Sequence, residues 1–202
     1  MAKRRARTLI ADAPGSWLPT GRFVLTAAVL LSCLVACAGT VHVVPAGSTL
    51  IENVPYFAQE DLQCGPTALA TVINYWYRKG HAQENVTVES VAAVIYSPSA
   101  RGVLGLDLEL YARKLGFLTL EPPGTVEAIM RCIDAGLPVV VLVDLGRLSF
   151  QQNHFMVAKG YTDEGIIFNS GRQESLVIST GYFEKIWRKS GCWSLVIKPS
   201  SL

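Results

Sequence analysis

The stretch Val54-Pro55-Tyr56-Phe57-Ala58-Gln59-Glu60-Asp61-Leu62-Gln63-Cys64-Gly65-Pro66-Thr67-Ala68-Leu69 sets a cysteine where a loop turns into a helix. Beyond it Leu69, Val72, Ile73 and Trp76 recur at i, i+3, i+4 and i+7, which predicts a helix over 64–79 stopped by Gly80. The unpaired amides and positive dipole end at such a helix start stabilise a thiolate. Pro66 suits the first turn because the amide it lacks would go unpaired there, and Gly65 lets the backbone approach a bound group closely. Gln59, five residues upstream, can fold back so that its side-chain amide and the Cys64 N–H face a developing oxyanion together. A cysteine in isolation is more often a small core residue, so the chemistry of Cys64 depends on finding a base.

Two histidines of the mature domain are available. His81 lies in the polar run Gly80-His81-Ala82-Gln83-Glu84 and reads as exposed. His154 opens the strand His154-Phe155-Met156-Val157-Ala158-Lys159-Gly160-Tyr161, where a sheet holds the backbone while the ring faces a cleft. The next strand, Gly165-Ile166-Ile167-Phe168-Asn169, ends in an amide able to fix the imidazole in one tautomer. Regular pairing across the Thr162–Glu164 turn sets Asn169 opposite Ala158, so a bulge, a longer loop or strong shear is needed to bring Asn169 to His154.

Around these segments the apolar pattern changes character once. Thr87 is placed to cap a short helix ending near Tyr96. Leu108, Tyr111, Ala112 and Leu115 repeat the helical spacing up to Gly116, and Val126, Ile129, Met130 and Ile133 repeat it between a Thr125 cap and Gly136. From Val139-Val140-Val141-Leu142-Val143 onward the runs are short, β-branched and separated by turn residues, with strands at 154–161, 165–169, 176–179 and 192–198. A brief helix, Tyr182 to Lys189, follows a Thr180 cap. Helices first and antiparallel strands second predict an α+β fold.

The whole chain is 202 residues, half of them hydrophobic and 17% charged, which suits one domain and excludes disorder or a disulfide-dense scaffold. Its formal charge of +2 is concentrated in residues 1–36. After residue 36 there are 13 bases against 15 acids, so nucleic acid is not an expected partner. The start MAKRRARTLI is a basic n-region, and Phe23 to Ala36 is an apolar run of 14, shorter than the roughly 20 residues of a membrane-spanning helix. It ends Leu34-Val35-Ala36-Cys37, which resembles the lipobox of bacterial lipoproteins and implies cleavage before Cys37 and lipid on its sulfur; an uncleaved signal anchor is the alternative. Ala38, in place of the aspartate that retains such lipoproteins at the inner membrane, implies the periplasmic face of the outer membrane. The domain plan is thus a leader over 1–36, a tether over 37–53 that includes His42, and one domain over 54–199. Cys33 and Cys37 have no histidine partners, so neither zinc nor another cofactor is expected. Cys132 and Cys192 are core thiols or a disulfide.

Gln59 to Leu69, His154-Phe155-Met156-Val157 and Asn169-Ser170-Gly171, with the closing Trp187 to Trp193, resemble the bacteriocin-processing cysteine peptidases that cut after a double glycine, especially their stand-alone lipoprotein relatives. The likeness spans about residues 54 to 198. It implies a papain-like α+β fold, with helices packed on an antiparallel sheet, in which Cys64 is the nucleophile, His154 the base, Asn169 the third member and Gln59 the oxyanion donor, acting on a peptide or protein substrate. The family commonly has aspartate before the cysteine and at the third position, where this chain has Gln63 and Asn169. No phosphate-binding glycine loop is present, so no ATP-binding domain is expected in this chain. A peptidase-like module that binds a peptide without cutting it, and acyl transfer on a cell-wall amide, remain alternatives on the same residues.

Overall fold

A computed structural model of the chain describes residues 45–59, 63–81, 85–99, 102–148 and 150–202. The leader and Cys37 lie outside the described residues, as does His42. Helix α1, Cys64–Trp76, carries straight into a wider turn, Tyr77–His81, broken by Gly80 at φ 87°. Every residue from Gly65 to Trp76 is buried, the pattern of a helix surrounded by core rather than lying on it. Trp76 donates to the Ile197 carbonyl at 2.7 Å and Tyr75 to that of Gly136 at 2.8 Å, so each buried polar tip has a partner.

Of the next three helices, two follow the expected caps closely. In α2, Val88–Ile95, the Thr87 hydroxyl accepts from the Ser90 amide at 3.1 Å while Ser90 Oγ accepts from the Thr87 amide at 3.1 Å. Helix α3, Gly105–Lys114, begins a turn earlier than the leucine spacing indicates, because Asp107 reaches back to accept from the Leu104 amide at 2.9 Å. In α4, Val126–Asp134, Thr125 accepts from Ala128 at 3.2 Å. Helix α5, Thr180–Arg188, differs: Thr180 is already helical, and Ser179 before it supplies no side-chain cap.

The strands are β1 Thr49–Leu50, β2 Phe117–Leu120, β3 Val139–Asp144, β4 Asn153–Tyr161, β5 Gly165–Ser170, β6 Gln173–Ser179 and β7 Ser194–Pro199. They form one sheet in the order β2-β7-β3-β4-β5-β6, antiparallel throughout, so the expected α+β class is observed. Two strands were not anticipated. β2, just past the Gly116 stop, pairs along all four of its residues with β7. β1 comes from the stretch read as tether: Thr49 and Leu50 pair with Tyr161 and Gly160, and Ile51 is buried with its amide on the Lys159 carbonyl at 2.7 Å. The folded domain therefore starts several residues before Val54. Among the described residues no helix is long and apolar enough to cross a membrane.

The hairpin of β4 and β5 contains the detail that matters most for function. Tyr161 pairs with Ile166 and Gly160 with Ile167, but then Ala158 pairs with Phe168 and Val157 with Asn169. Lys159 is the extra residue of a β-bulge. Because side chains alternate between faces, that single insertion swaps which face of β5 matches which face of β4.

Candidate active site

Gln63 flanks the start of α1 without a side-chain cap, and no acidic residue occupies the first turn. Pro66 has no amide, and by their place in the first turn the N–H groups of Cys64 and Gly65 have no partner within α1. Cys64 is half-buried. Gly65 serves packing rather than close approach of a ligand: a Cβ there would lie 2.0 Å from Val103 Cγ2 and 3.4 Å from Phe155 Cδ2. The residue after Cys64 is thereby seated against the residue after His154, and the helix mouth meets the beginning of β4.

His154 is half-buried at the second position of β4, opposite Val143. Burial pushes its pKa below the ordinary histidine value, which favours the neutral ring that can accept a proton. Its Nε2 shares a hydrogen bond of 3.0 Å with Ser170 Oγ. Among the described residues Nδ1 has no hydrogen-bond partner, so it is the nitrogen available for proton transfer. The loop before His154 is itself tied down. Asp144 Oδ1 accepts from the amides of Gln152 at 2.9 Å and Gly146 at 2.8 Å, and these two bonds hold its carboxyl below the usual range. Leu148 and Phe150 stand exposed on this loop.

Among the described residues Asn169 makes no hydrogen bond to the imidazole. Its Nδ2 donates to the Pro55 carbonyl at 3.2 Å and its Oδ1 accepts from the Ser175 amide at 3.2 Å. The bulge explains the correction. Unbroken pairing sets Asn169 against Ala158, on the face His154 shares with Met156 and Ala158; with Lys159 extra, Asn169 pairs with Val157 on the opposite face. Ser170, one residue on, takes the His154 face, and a diagonal neighbour at that spacing is within side-chain reach. The alternation of β4 is readable in the sequence, whereas the insertion that inverts it is not, so nothing in the strand pattern singles out Ser170.

Gln59 is half-buried, and its amide donates to the Gly171 carbonyl at 3.1 Å, immediately after Ser170. Tyr56 donates through its hydroxyl to the same carbonyl at 3.2 Å. The segment 55–59 thus runs beside the end of β5 on its way to Cys64. An open cleft of about 480 Å³ lies along this segment, bounded by Tyr56–Ala58, Gln63, Arg78 and the start of α2 at Thr87–Glu89. Cys132 and Cys192 are free thiols. Among the described residues no cluster of three or more His, Cys, Asp or Glu side chains could hold a metal ion.

The architecture is shared with solved proteins. A C39-like peptidase from Bacillus anthracis matches with a TM-score of 0.61 at 18% identity, covering 74% of this chain and 96% of that one. The peptidase domain of Streptococcus ComA, a bifunctional ABC transporter involved in quorum sensing, matches at 0.58 and 21% identity over 73% and 99%. A double-glycine-motif protease from an AMS/PCAT transporter, solved with its leader peptide, matches at 0.56 and 22% identity over 73% and 92%. No curated protein sequence matches. At these identities the likeness shows the papain-like fold of such domains. The model of the Peptidase_C39-like family matches residues 51–195, most of the described domain and the whole of the stretch that carries Gln59, Cys64 and His154. The chain belongs to the Peptidase_C39-like family.

Proposed function

We propose that this chain is a cysteine endopeptidase working at the cell envelope. The observation that carries this reading is the pairing of a committed imidazole with a helix mouth: His154 Nε2 is held by Ser170 Oγ at 3.0 Å, and the residue beside His154 packs on the residue beside Cys64. In this reading Cys64 Sγ, relieved of its proton by His154 Nδ1, attacks a peptide carbonyl carbon. The carbonyl π pair moves to oxygen, where the Cys64 amide and the Gln59 side chain receive it. The tetrahedral adduct collapses as His154 protonates the leaving amine, and water then releases the acyl group from sulfur with the same imidazole as base. Ser170 takes the third role that the resemblance implies for Asn169. The cleft beside Tyr56–Ala58, which includes Gln63 just before Cys64, supports a peptide substrate, as does the leader peptide bound by the AMS/PCAT protease.

Cys64→Ala is expected to abolish peptide hydrolysis with the thermal midpoint within a few degrees of wild type, and His154→Ala to remove most of it while also slowing alkylation of Cys64 by iodoacetamide. Hydrolysis that survives Cys64→Ala overturns the proposal. A second reading has one observation in its favour. Ser170 is neutral, so among the described residues no anion stands against the ring to stabilise an imidazolium, and a peptide-binding module that no longer cuts would look the same. That module would bind peptides with no turnover and no His154-dependent alkylation.

The envelope location rests on the leader and on Leu34-Val35-Ala36-Cys37. Cells fed labelled palmitate should label the wild-type chain and not Cys37→Ser; equal labelling of both removes the anchor.

A further inference from the structure

Three hydrogen bonds join one short segment to another. Asn169 Nδ2 donates to the Pro55 carbonyl at 3.2 Å, the Gln59 amide donates to the Gly171 carbonyl at 3.1 Å, and the Tyr56 hydroxyl donates to the same carbonyl at 3.2 Å. Residues 55–59 are thus stitched to residues 169–171 at both ends. Asn169 is only 5% exposed, and its oxygen is taken by the amide of Ser175 at 3.2 Å. Ser175 sits at φ 57° in a second irregularity, where Glu174 and Ser175 of β6 together stand against Asn169 alone. The side chain therefore uses a donor toward one neighbour and an acceptor toward another, a pattern asparagine satisfies and aspartate does not.

We infer that Asn169 is a positioning residue that holds the Gln59 segment against β5 and so sets the oxyanion donor, rather than a partner of the imidazole. The inference rests on the peptidase reading above and adds to it where the second function of this turn lies. Ser170 faces His154 and serves proton transfer; Asn169, on the other face, serves the anion that forms at the carbonyl oxygen. Adjacent residues of one strand thereby supply the two halves of the site.

Two reagents separate these halves on the full chain. Iodoacetamide alkylates Cys64 by displacement of iodide, with no oxyanion. p-Nitrophenyl acetate acylates it through one: Sγ bonds to the carbonyl carbon, the π pair moves to oxygen and returns as p-nitrophenolate leaves. With rates corrected by Cys64→Ala, Asn169→Asp should slow acylation at least tenfold and change alkylation by less than twofold, the same split as Gln59→Ala. The Gln59 amide should also exchange its hydrogen at least tenfold faster in Asn169→Asp. If acylation is unchanged, or both rates fall together as for a ring-orienting residue, Asn169 does not position the donor. If the wild type reacts with neither reagent, the peptidase reading itself fails. If Asn169→Asp does not fold, Tyr56→Phe, which removes the hydroxyl bond to Gly171 alone, should give the same selectivity at two- to fivefold; equal slowing of both reagents there overturns the inference.

Discussion

The mouth of α1 and the β4–β5 hairpin contribute the two halves of the candidate site, yet they are specified in different ways. At the helix mouth the chemistry is carried locally: Cys64, the closely packed Gly65, the amide-free Pro66 and the buried run that follows lie within thirteen residues. In the hairpin, which residue meets His154 is decided by Lys159, a bulged residue with no side-chain role in the site. A helix start fixes chemistry by sequence distance along one turn. A sheet fixes it by parity, and parity can be inverted by one residue anywhere between the pair.

The contrast can be broken first at the helix mouth, where the largest effect is expected. Gly65→Ala places a methyl 2.0 Å from Val103 Cγ2 in a closely packed region. Overpacking of that kind costs about 1–3 kcal/mol, so urea or thermal unfolding should show a loss of that size. Val103→Ala in the same chain should recover part of it, because the clash is with one side chain and not with backbone. A Gly65→Ala protein as stable as wild type would mean the mouth is not wedged against Val103, and the seating of Cys64 beside β4 would need another cause.

Most of the scaffold was legible because its signals are short-range. Thr87 and Thr125 cap the helices they were expected to cap, and Gly80, Gly116 and Gly136 all take positive φ where a helix ends. The strands from Val139 onward appear in order because their apolar β-branched runs have no competing helical period. What escaped was held by partners distant in sequence. β1 has two residues and no pattern of its own; it exists because Gly160 leaves room for Thr49 and Leu50 to approach β4. A Cβ on Gly160 would lie 2.6 Å from the Thr49 carbonyl. At the candidate site, Cys64, Gln59 and His154 are proposed from local features, whereas the placement of Ser170 rather than Asn169 on the His154 face follows from the bulge and has no local signature.

That exchange is also the sharper and smaller test of the comparison. Ser170 Oγ offers the ring one neutral hydrogen bond, and such bonds contribute about 0.5–1.5 kcal/mol, so Ser170→Ala should lower turnover by roughly two- to tenfold. The ring itself can be followed by NMR titration of His154 in a Cys64→Ala background. In the wild type, burial keeps its pKa below the ordinary value of about 6.5. Above that pH the folded and unfolded chains both hold a neutral ring; as pH falls below it, only the unfolded chain takes up the proton, and stability declines until the folded pKa is passed. Ser170→Asp sets an anion against Nε2, which stabilises the imidazolium and moves the titration of His154 upward, so this acid-side loss of stability should shrink or reverse. The same substitution at Asn169 faces Pro55 and should leave the His154 titration nearly where it was. A titration that follows residue 169 instead would set Asn169 rather than Ser170 on the His154 face and overturn the exchange of roles.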